Sequence, residues 1–358
     1  MFKHTHTSAL LSVVLLSFSC LWADQKPTKP TEDCTTGECH NSYVKKRNVH
    51  QPVALGVCKF CHKLVNPKAH SFKLFRTRKE LCGSCHREQT RELDIIPSVG
   101  QLKAKAPQVG KGKYIHKPLK EGRCIECHNP HSSDSKFLLK SATVAESCRE
   151  CHEINEGVKN PHRPVDEGKC NLCHDSHSSN RRYLLINDQR QLCFSCHEDT
   201  KAELDRFKYI HKPIVDRGCG VCHKPHGSDY FRLLIKEYPS EFYAPFDISN
   251  YELCFSCHQE NKVLIKETEN STDFRNGKMN LHYLHVNTPE RGRTCRACHA
   301  THASNEPKHL RKAVPYGGWE IPIQFEKTET GGGCSPGCHD PRAYDRIKPV
   351  IYISDKSS

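Results

Sequence analysis

Apolar positions along this chain are few and fall into two patterns. The first is a single run from Ala9 to Ala23, preceded by Lys3 and cut off by Asp24-Gln25-Lys26-Pro27. It is too short and too abruptly ended to span a bilayer, and it has the layout of a secretory signal peptide. Leu21 and Ala23 occupy the two positions a signal peptidase reads, so cleavage is expected after Ala23. The second pattern is a leucine pair that returns as Leu138-Leu139, Leu184-Leu185 and Leu233-Leu234. No segment after the leader is apolar enough to cross a bilayer. Such small apolar patches predict short α-helices in mostly irregular coil, with little β structure.

The leucine pairs mark a repeat, and the repeat carries the chemistry. Its unit reads His, seven residues, Cys-x-x-Cys-His, a short gap, His, the leucine pair, then a second Cys-x-x-Cys-His. The clearest copies run from His116 to His152, His162 to His197 and His211 to His258. A looser copy runs from His50 through His62 and His70 to His86, and another from His285 through His299 and His302 to His339. Five two-motif copies and one leading motif make eleven.

Those eleven motifs absorb every one of the 23 cysteines except Cys20. Nine are regular, on the pairs Cys58/Cys61, Cys82/Cys85, Cys124/Cys127, Cys148/Cys151, Cys170/Cys173, Cys193/Cys196, Cys219/Cys222, Cys254/Cys257 and Cys295/Cys298. Two are stretched, Cys34/Cys39 at the front and Cys334/Cys338 at the back. Two thiols about one turn apart can add to the two vinyl groups on one haem edge, and the next histidine then lies under the iron. Zinc half-sites and redox pairs also use Cys-x-x-Cys, but neither requires a histidine directly after the second cysteine. The spacing therefore points to eleven covalently attached c-type haems, bound in an exported protein. A lipidated Cys20 is the competing reading of the leader, though Ser17-Phe18-Ser19 makes a poor lipobox.

Composition fits a chain that wraps cofactors. Hydrophobic residues are 36%, aromatics 8% and mean hydropathy is -0.71, a thin basis for a protein core. Porphyrins would supply the missing apolar surface. The formal charge of +13 invites a nucleic-acid reading, which the cofactors remove. Each ferric bis-histidine haem with two propionates adds about -1, so eleven offset most of the excess.

The histidines can be counted against the irons. Of 25, His4 and His6 lie in the leader. Eleven close the motifs: His40, His62, His86, His128, His152, His174, His197, His223, His258, His299 and His339. The repeat supplies ten more, His50, His70, His116, His131, His162, His177, His211, His226, His285 and His302. His282 and His309 remain, and one of them would complete six-coordination throughout. His309 falls where other copies have the first leucine of the pair, so His282 is favoured. His131 follows His128 by only three residues and cannot reach the far face of the same porphyrin. It must serve another haem, and such cross-ligation would interlock a closely packed haem array. Methionine ligands, which raise haem potential, are limited to Met279, so low potentials are expected. No Cys-x-x-Cys-Lys motif marks a catalytic haem.

The pattern in Cys124-His128-Asn129-Pro130-His131 and Cys219-His223-Lys224-Pro225-His226 resembles the doubled-CxxCH family of multihaem cytochromes. Over residues 50 to 340 or so the chain is similar in role to the periplasmic decahaem conduits of porin–cytochrome complexes. The resemblance implies a periplasmic electron carrier in anaerobic respiration and extracellular electron transfer. Its partners would be a quinol dehydrogenase and a porin–cytochrome or outer-surface cytochrome, with an oligomer or filament as a variant. Outer-membrane association, a lipid anchor or an extracellular location is the alternative to the periplasm. The alternative function is an oxidoreductase with one reactive haem, acting on nitrite, hydroxylamine or tetrathionate.

The expected organisation is a signal peptide over 1–23, a front three-haem segment over 24–94, a flexible linker over 95–113 and an eight-haem segment over 114–358. Insertions at 235–250, 263–281 and 312–332 depart from the repeat. They are read as solvated loops or as candidates for partner docking.

Overall fold

The computed structural model describes Cys34, residues 39–87, 108–154 and 157–352. The leader with Cys20, and residues 95–107 of the expected linker, lie outside the described residues. Among the described residues there are eleven α-helices, and the two longest, Arg78–His86 and Glu198–Arg206, have nine residues each. Among the described residues no helix is long and apolar enough to cross a membrane. The chain divides into two units, residues 1–77 with 129–138, and residues 78–128 with 139–358.

Four of the five copies of the repeat open on the same local devices, while His285 of the last lies inside the helix Leu281–Val286. The histidine that opens each of the four caps a short helix: His50 before Gln51–Ala54, His116 before Lys117–Lys120, His162 before Arg163–Asp166 and His211 before Lys212–Arg217. Proline stands in the first turn of all four, where a missing N–H costs nothing. Three of these helices are followed by a left-handed glycine, at Gly56, Gly122 and Gly168, and the fourth ends directly on Gly218. At Gly122 a side chain is also excluded by space, since a Cβ would lie 2.5 Å from that of Lys79. A single 3-10 turn then carries the cysteines, over Cys58–Phe60, Cys124–Glu126, Cys170–Leu172, Cys219–Val221 and Cys295–Ala297.

The leucine pairs lie in a strained turn. Phe137-Leu138, Tyr183-Leu184, Arg232-Leu233 and Lys308-His309 all hold positive φ, between 50° and 61°, a conformation costly for L residues with side chains. The turn brings Leu139, Leu185, Leu234 and Leu310 into antiparallel bridges with His128, His174, His223 and His299. Four equivalent positions carry the same strain because the turn orients a histidine.

Copies are stitched to one another by two-residue antiparallel strands. The strand before each opening histidine pairs with the strand that follows the inner histidine of the next copy. Asn48–Val49 pairs with Ser132–Ser133, Tyr114–Ile115 with Ser178–Ser179, Asn160–Pro161 with Gly227–Ser228, and Tyr209–Ile210 with Ala303–Ser304. One more backbone bond closes each ladder, as from His116 N–H to His177 O at 2.9 Å and from His211 N–H to His302 O at 2.8 Å.

The three insertions are not loop alone: each contributes paired strands, while residues 315–320 of the last are exposed to solvent as expected. Residues 312–332 hold a hairpin, Ala313–Tyr316 with Trp319–Pro322, followed by Phe325–Lys327 and Gly331–Cys334 in a sheet with Arg342–Asp345. The glycines of 331–333 form its central strand. A Cβ on Gly331 would sit 1.8 Å from Tyr344 O, so no larger residue fits. Tyr243–Ala244 of the first insertion pairs with Gly292–Arg293, and Gly277 of the second donates to Asp345 O at 2.8 Å. The apolar cluster of Leu234, Tyr238, Tyr251, Val263 and Val286 lies in the same region.

Candidate haem-binding sites

Twenty of the predicted histidines meet in ten pairs, each joining a motif histidine to one from elsewhere. The pairs are His40 with His70, His62 with His131, His116 with His152, His128 with His177, His162 with His197, His174 with His226, His211 with His258, His223 with His302, His282 with His299 and His285 with His339. Aromatic rings in simple contact scatter over about 4.5–7 Å. These ten centre distances fall between 5.9 and 6.5 Å. A metal bonded at about 2 Å to one nitrogen of each ring, with roughly 1 Å more to each ring centre, sets two imidazoles roughly 6 Å apart. The pairs thus fit one iron each, held by two imidazoles.

Which nitrogen is available is fixed by the other. Nδ1 of His174, His223 and His299 is bonded to the carbonyl of Tyr183, Arg232 and Lys308, the first residue of the strained turn, at 2.8–3.0 Å. Nδ1 of the opening histidines His50, His116 and His162 is bonded to Pro130, Ser176 and Pro225 carbonyls at 2.7–3.0 Å. A carbonyl accepts only, so Nδ1 carries the proton and Nε2 keeps its lone pair for a metal. Burial adds to this by lowering the pKa of His131, His177, His211, His226 and His299, and it pushes His282 down to about 4. Neutral imidazole is the ligand form.

The pairing follows a rule. The opening histidine faces the second motif of its own copy, as His116 faces His152. The inner histidine faces the first motif of the copy before it, as His177 faces His128, His226 faces His174 and His302 faces His223. His70 serves the leading motif in the same way through His40. The last copy has no successor, and there His282, from the helix Leu281–Val286, faces His299. His309 stands edge-on to His211, 5.4 Å away at 69°, and its Nδ1 is buried without a partner.

Cysteines of neighbouring motifs also meet. Hydrogen-bond contacts join Cys34 to Cys58, Cys82 to Cys124, Cys148 to Cys170, Cys193 to Cys219 and Cys254 to Cys295. The bond from Cys193 draws the Cys219 thiol down to about 6. Within copies the second cysteines interact electrostatically, Cys127 with Cys151, Cys173 with Cys196, Cys222 with Cys257, and Cys298 with Cys334 and Cys338. In the larger unit, attachment points from Cys82 to Cys338 therefore follow one another in chain order. In the smaller unit, Cys34 and Cys58 are neighbours.

Cys39, Cys61 and Cys85 are the second cysteines of the first three motifs. Cys39, in the stretched leading motif, is exposed, as are Cys151, Cys196, Cys257 and Cys338. Cys61 is half-buried and held by its backbone, with its N–H donating to Cys58 O at 3.1 Å and its carbonyl accepting from Phe75 N–H at 2.9 Å. Cys85 is half-buried in the helix Arg78–His86, with the Ser84 hydroxyl 3.8 Å from its Sγ and Gln108 Nε2 donating to its carbonyl at 2.9 Å. The assignment of Cys39, Cys61 and Cys85 to haem attachment is read from motif spacing.

Sequence reasoning missed the residues that support the ligands. Asn280, fully buried, accepts from His282 and Tyr283 N–H through Oδ1 and donates through Nδ2 to the Lys262 and Ile265 carbonyls. Thr272 Oγ1 lies 3.0 Å from His282 Nδ1. Glu203 Oε2 lies 3.4 Å from His302 Nδ1, across 99 positions of chain. The asparagine directly before an apolar helix was a readable cap signal. Glu203 carried none.

The model of the doubled CXXCH motif family matches residues 50–91, 116–157, 162–202 and 211–263. A curated relative, the multiheme cytochrome MtrA of Shewanella baltica (strain OS185), is 27% identical over 125 residues, which is 34% of this chain and 32% of the relative. The match thus spans about a third of that protein's length.

Proposed function

Because the chain belongs to the doubled CXXCH family of multihaem c-type cytochromes, we propose that it is an eleven-haem electron conduit. Bound haem c supplies reversible one-electron Fe(III)/Fe(II) chemistry. The cysteines of the eleven motifs, Cys39, Cys61 and Cys85 included, hold the groups, and the paired histidines would occupy both axial positions. His50 and His86 are assigned as ligands from their places in the repeat. The observation that carries the reading is the chain-order adjacency of attachment points from Cys82 to Cys338. Neighbouring groups placed edge to edge exchange electrons faster than either does with a distant partner.

The role that follows is transfer across the periplasm between a quinol-oxidising donor and an outer-membrane or extracellular acceptor. Relation to a multiheme cytochrome and the predicted leader support it. Two imidazoles at an iron would leave no position for substrate, so the ten histidine pairs disfavour nitrite, hydroxylamine or tetrathionate reduction. The test is ferric electron paramagnetic resonance on protein whose intact mass shows eleven haems. Only low-spin signals are expected. A high-spin haem that binds nitrite and turns it over in a saturable way would move the protein to the enzyme class.

A further inference from the structure

Among ten candidate ligand histidines whose Nδ1 contacts are described, one partner is unlike the rest. Eight are backbone carbonyls: those of Pro130, Ser176, Pro225, Tyr183, Arg232, Lys308, Leu281 and Asp340. The ninth, at His282, is the Thr272 hydroxyl. At His302, alone of the ten, the partner is a carboxylate, Oε2 of Glu203, 3.4 Å away and about two-thirds buried. Glu203 sits in the helix Glu198–Arg206, which separates the motif of His197 from the opening histidine of the next copy. Its carboxylate also interacts electrostatically with Arg311, whose Nε donates to the His299 carbonyl at 3.1 Å. The same histidine belongs to the most twisted pair, His223 and His302 being turned 53° from each other.

We infer that Glu203 is a positioning and tuning residue for the haem on Cys219 and Cys222, holding His302 at its angle and lowering that haem's reduction potential below that of its neighbours. The inference rests on the ligand assignment proposed above. A carboxylate that accepts the Nδ1 proton gives the imidazole more anionic character and makes Nε2 a stronger donor, which favours ferric over ferrous iron. A carbonyl does this more weakly because it carries no net charge. The Cys219 attachment point lies between those of Cys193 and Cys254 in chain order. A low potential there makes this haem the slow station for an electron travelling through the larger unit in either direction.

The experiment compares Glu203→Gln, Glu203→Ala and His302→Ala with the parent by intact mass, ferric electron paramagnetic resonance and a reductive titration followed optically. In both Glu203 variants one haem's share of the titration curve should move to higher potential. One low-spin signal should change its g values, and all haems should remain attached and low-spin. His302→Ala should instead convert one haem to high-spin. If His302→Ala leaves every haem low-spin, the ligand assignment fails. If His302→Ala produces the high-spin haem while the Glu203 variants superimpose on the parent, the assignment stands and the tuning role of Glu203 is wrong.

Discussion

His128 and His177 come from different copies of the repeat, yet their imidazole rings lie 6.0 Å apart, centre to centre, and within 15° of parallel. His174, only three positions before His177, is turned to His226 instead. Adjacent copies therefore hold each other's sites together. The contact between His116 N–H and His177 O adds a backbone bond to the same junction.

From this pairing, His177→Ala should make one haem high-spin, the one on Cys124 and Cys127 above His128, while the haem on Cys170 and Cys173 stays low-spin. Resonance Raman or paramagnetic resonance on the purified variant, with the affected haem located by a second His128→Met change, reads this directly. A five-coordinate Cys170 haem would contradict the exchange of ligands between copies.

That motif histidines would meet histidines from elsewhere in the repeat was legible in the chain, because both recur at fixed spacing. That His282, and not His309, would face a motif histidine was legible as well, since His309 stands in the position of Leu138, Leu184 and Leu233. Which histidine faces which motif was not legible. That depends on strands of two residues, such as Tyr114–Ile115 on Ser178–Ser179, and two residues are too few to show a period. The order in the insertions escaped for a similar reason. Glycines 331–333 read as loop by propensity, but Tyr344 O and Glu326 O approach the backbone of Gly331 and Gly332 too closely for any other residue. Tertiary packing there overrides local preference.

His309 gives a prediction of opposite sign to most substitutions. Its Nδ1 is buried with no hydrogen-bond partner, which costs about 1–3 kcal/mol. Leucine already occupies the equivalent position in three copies at φ of 56°, 56° and 61°, against 57° for His309. His309→Leu should therefore stabilise the protein by roughly 1 kcal/mol and leave every haem low-spin. Chemical denaturation followed at the Soret band checks the first point, and a new high-spin signal would instead make His309 a ligand.

Ser228 tests the stitching between copies. Its hydroxyl donates to the Leu234 carbonyl and accepts from Tyr230 N–H at 3.0 Å, with the residue 1% exposed. Ser179 and Ser304 do the same at their junctions. Ser228→Ala strands a buried N–H and weakens a carbonyl's partnership, so a loss of about 1–3 kcal/mol is expected. Haem content should be unchanged. A variant as stable as the parent would mean that water replaces the hydroxyl there.

Asn280 is the point where one side chain supports two histidine pairs. Its Oδ1 caps the helix Leu281–Val286, which bears both His282 and His285, facing His299 and His339. Its Nδ2 ties that helix to the carbonyls of Lys262 and Ile265 in the preceding insertion. Removing a cap costs about 0.5–2 kcal/mol, and each buried group left unpaired adds about 1–3 kcal/mol. Asn280→Ala should thus loosen the last two sites together, so that a high-spin fraction appears at the haems on Cys295 and Cys334 while the rest stay low-spin. Asn280→Asp separates the two functions, because it keeps the cap oxygen and loses the two donors. It should retain the helix and both ligands at ambient temperature but lower the melting temperature of this end of the array. If Asn280→Asp and Asn280→Ala behave alike, the tie to residues 262 and 265, and not the cap, is what holds the two histidines in place.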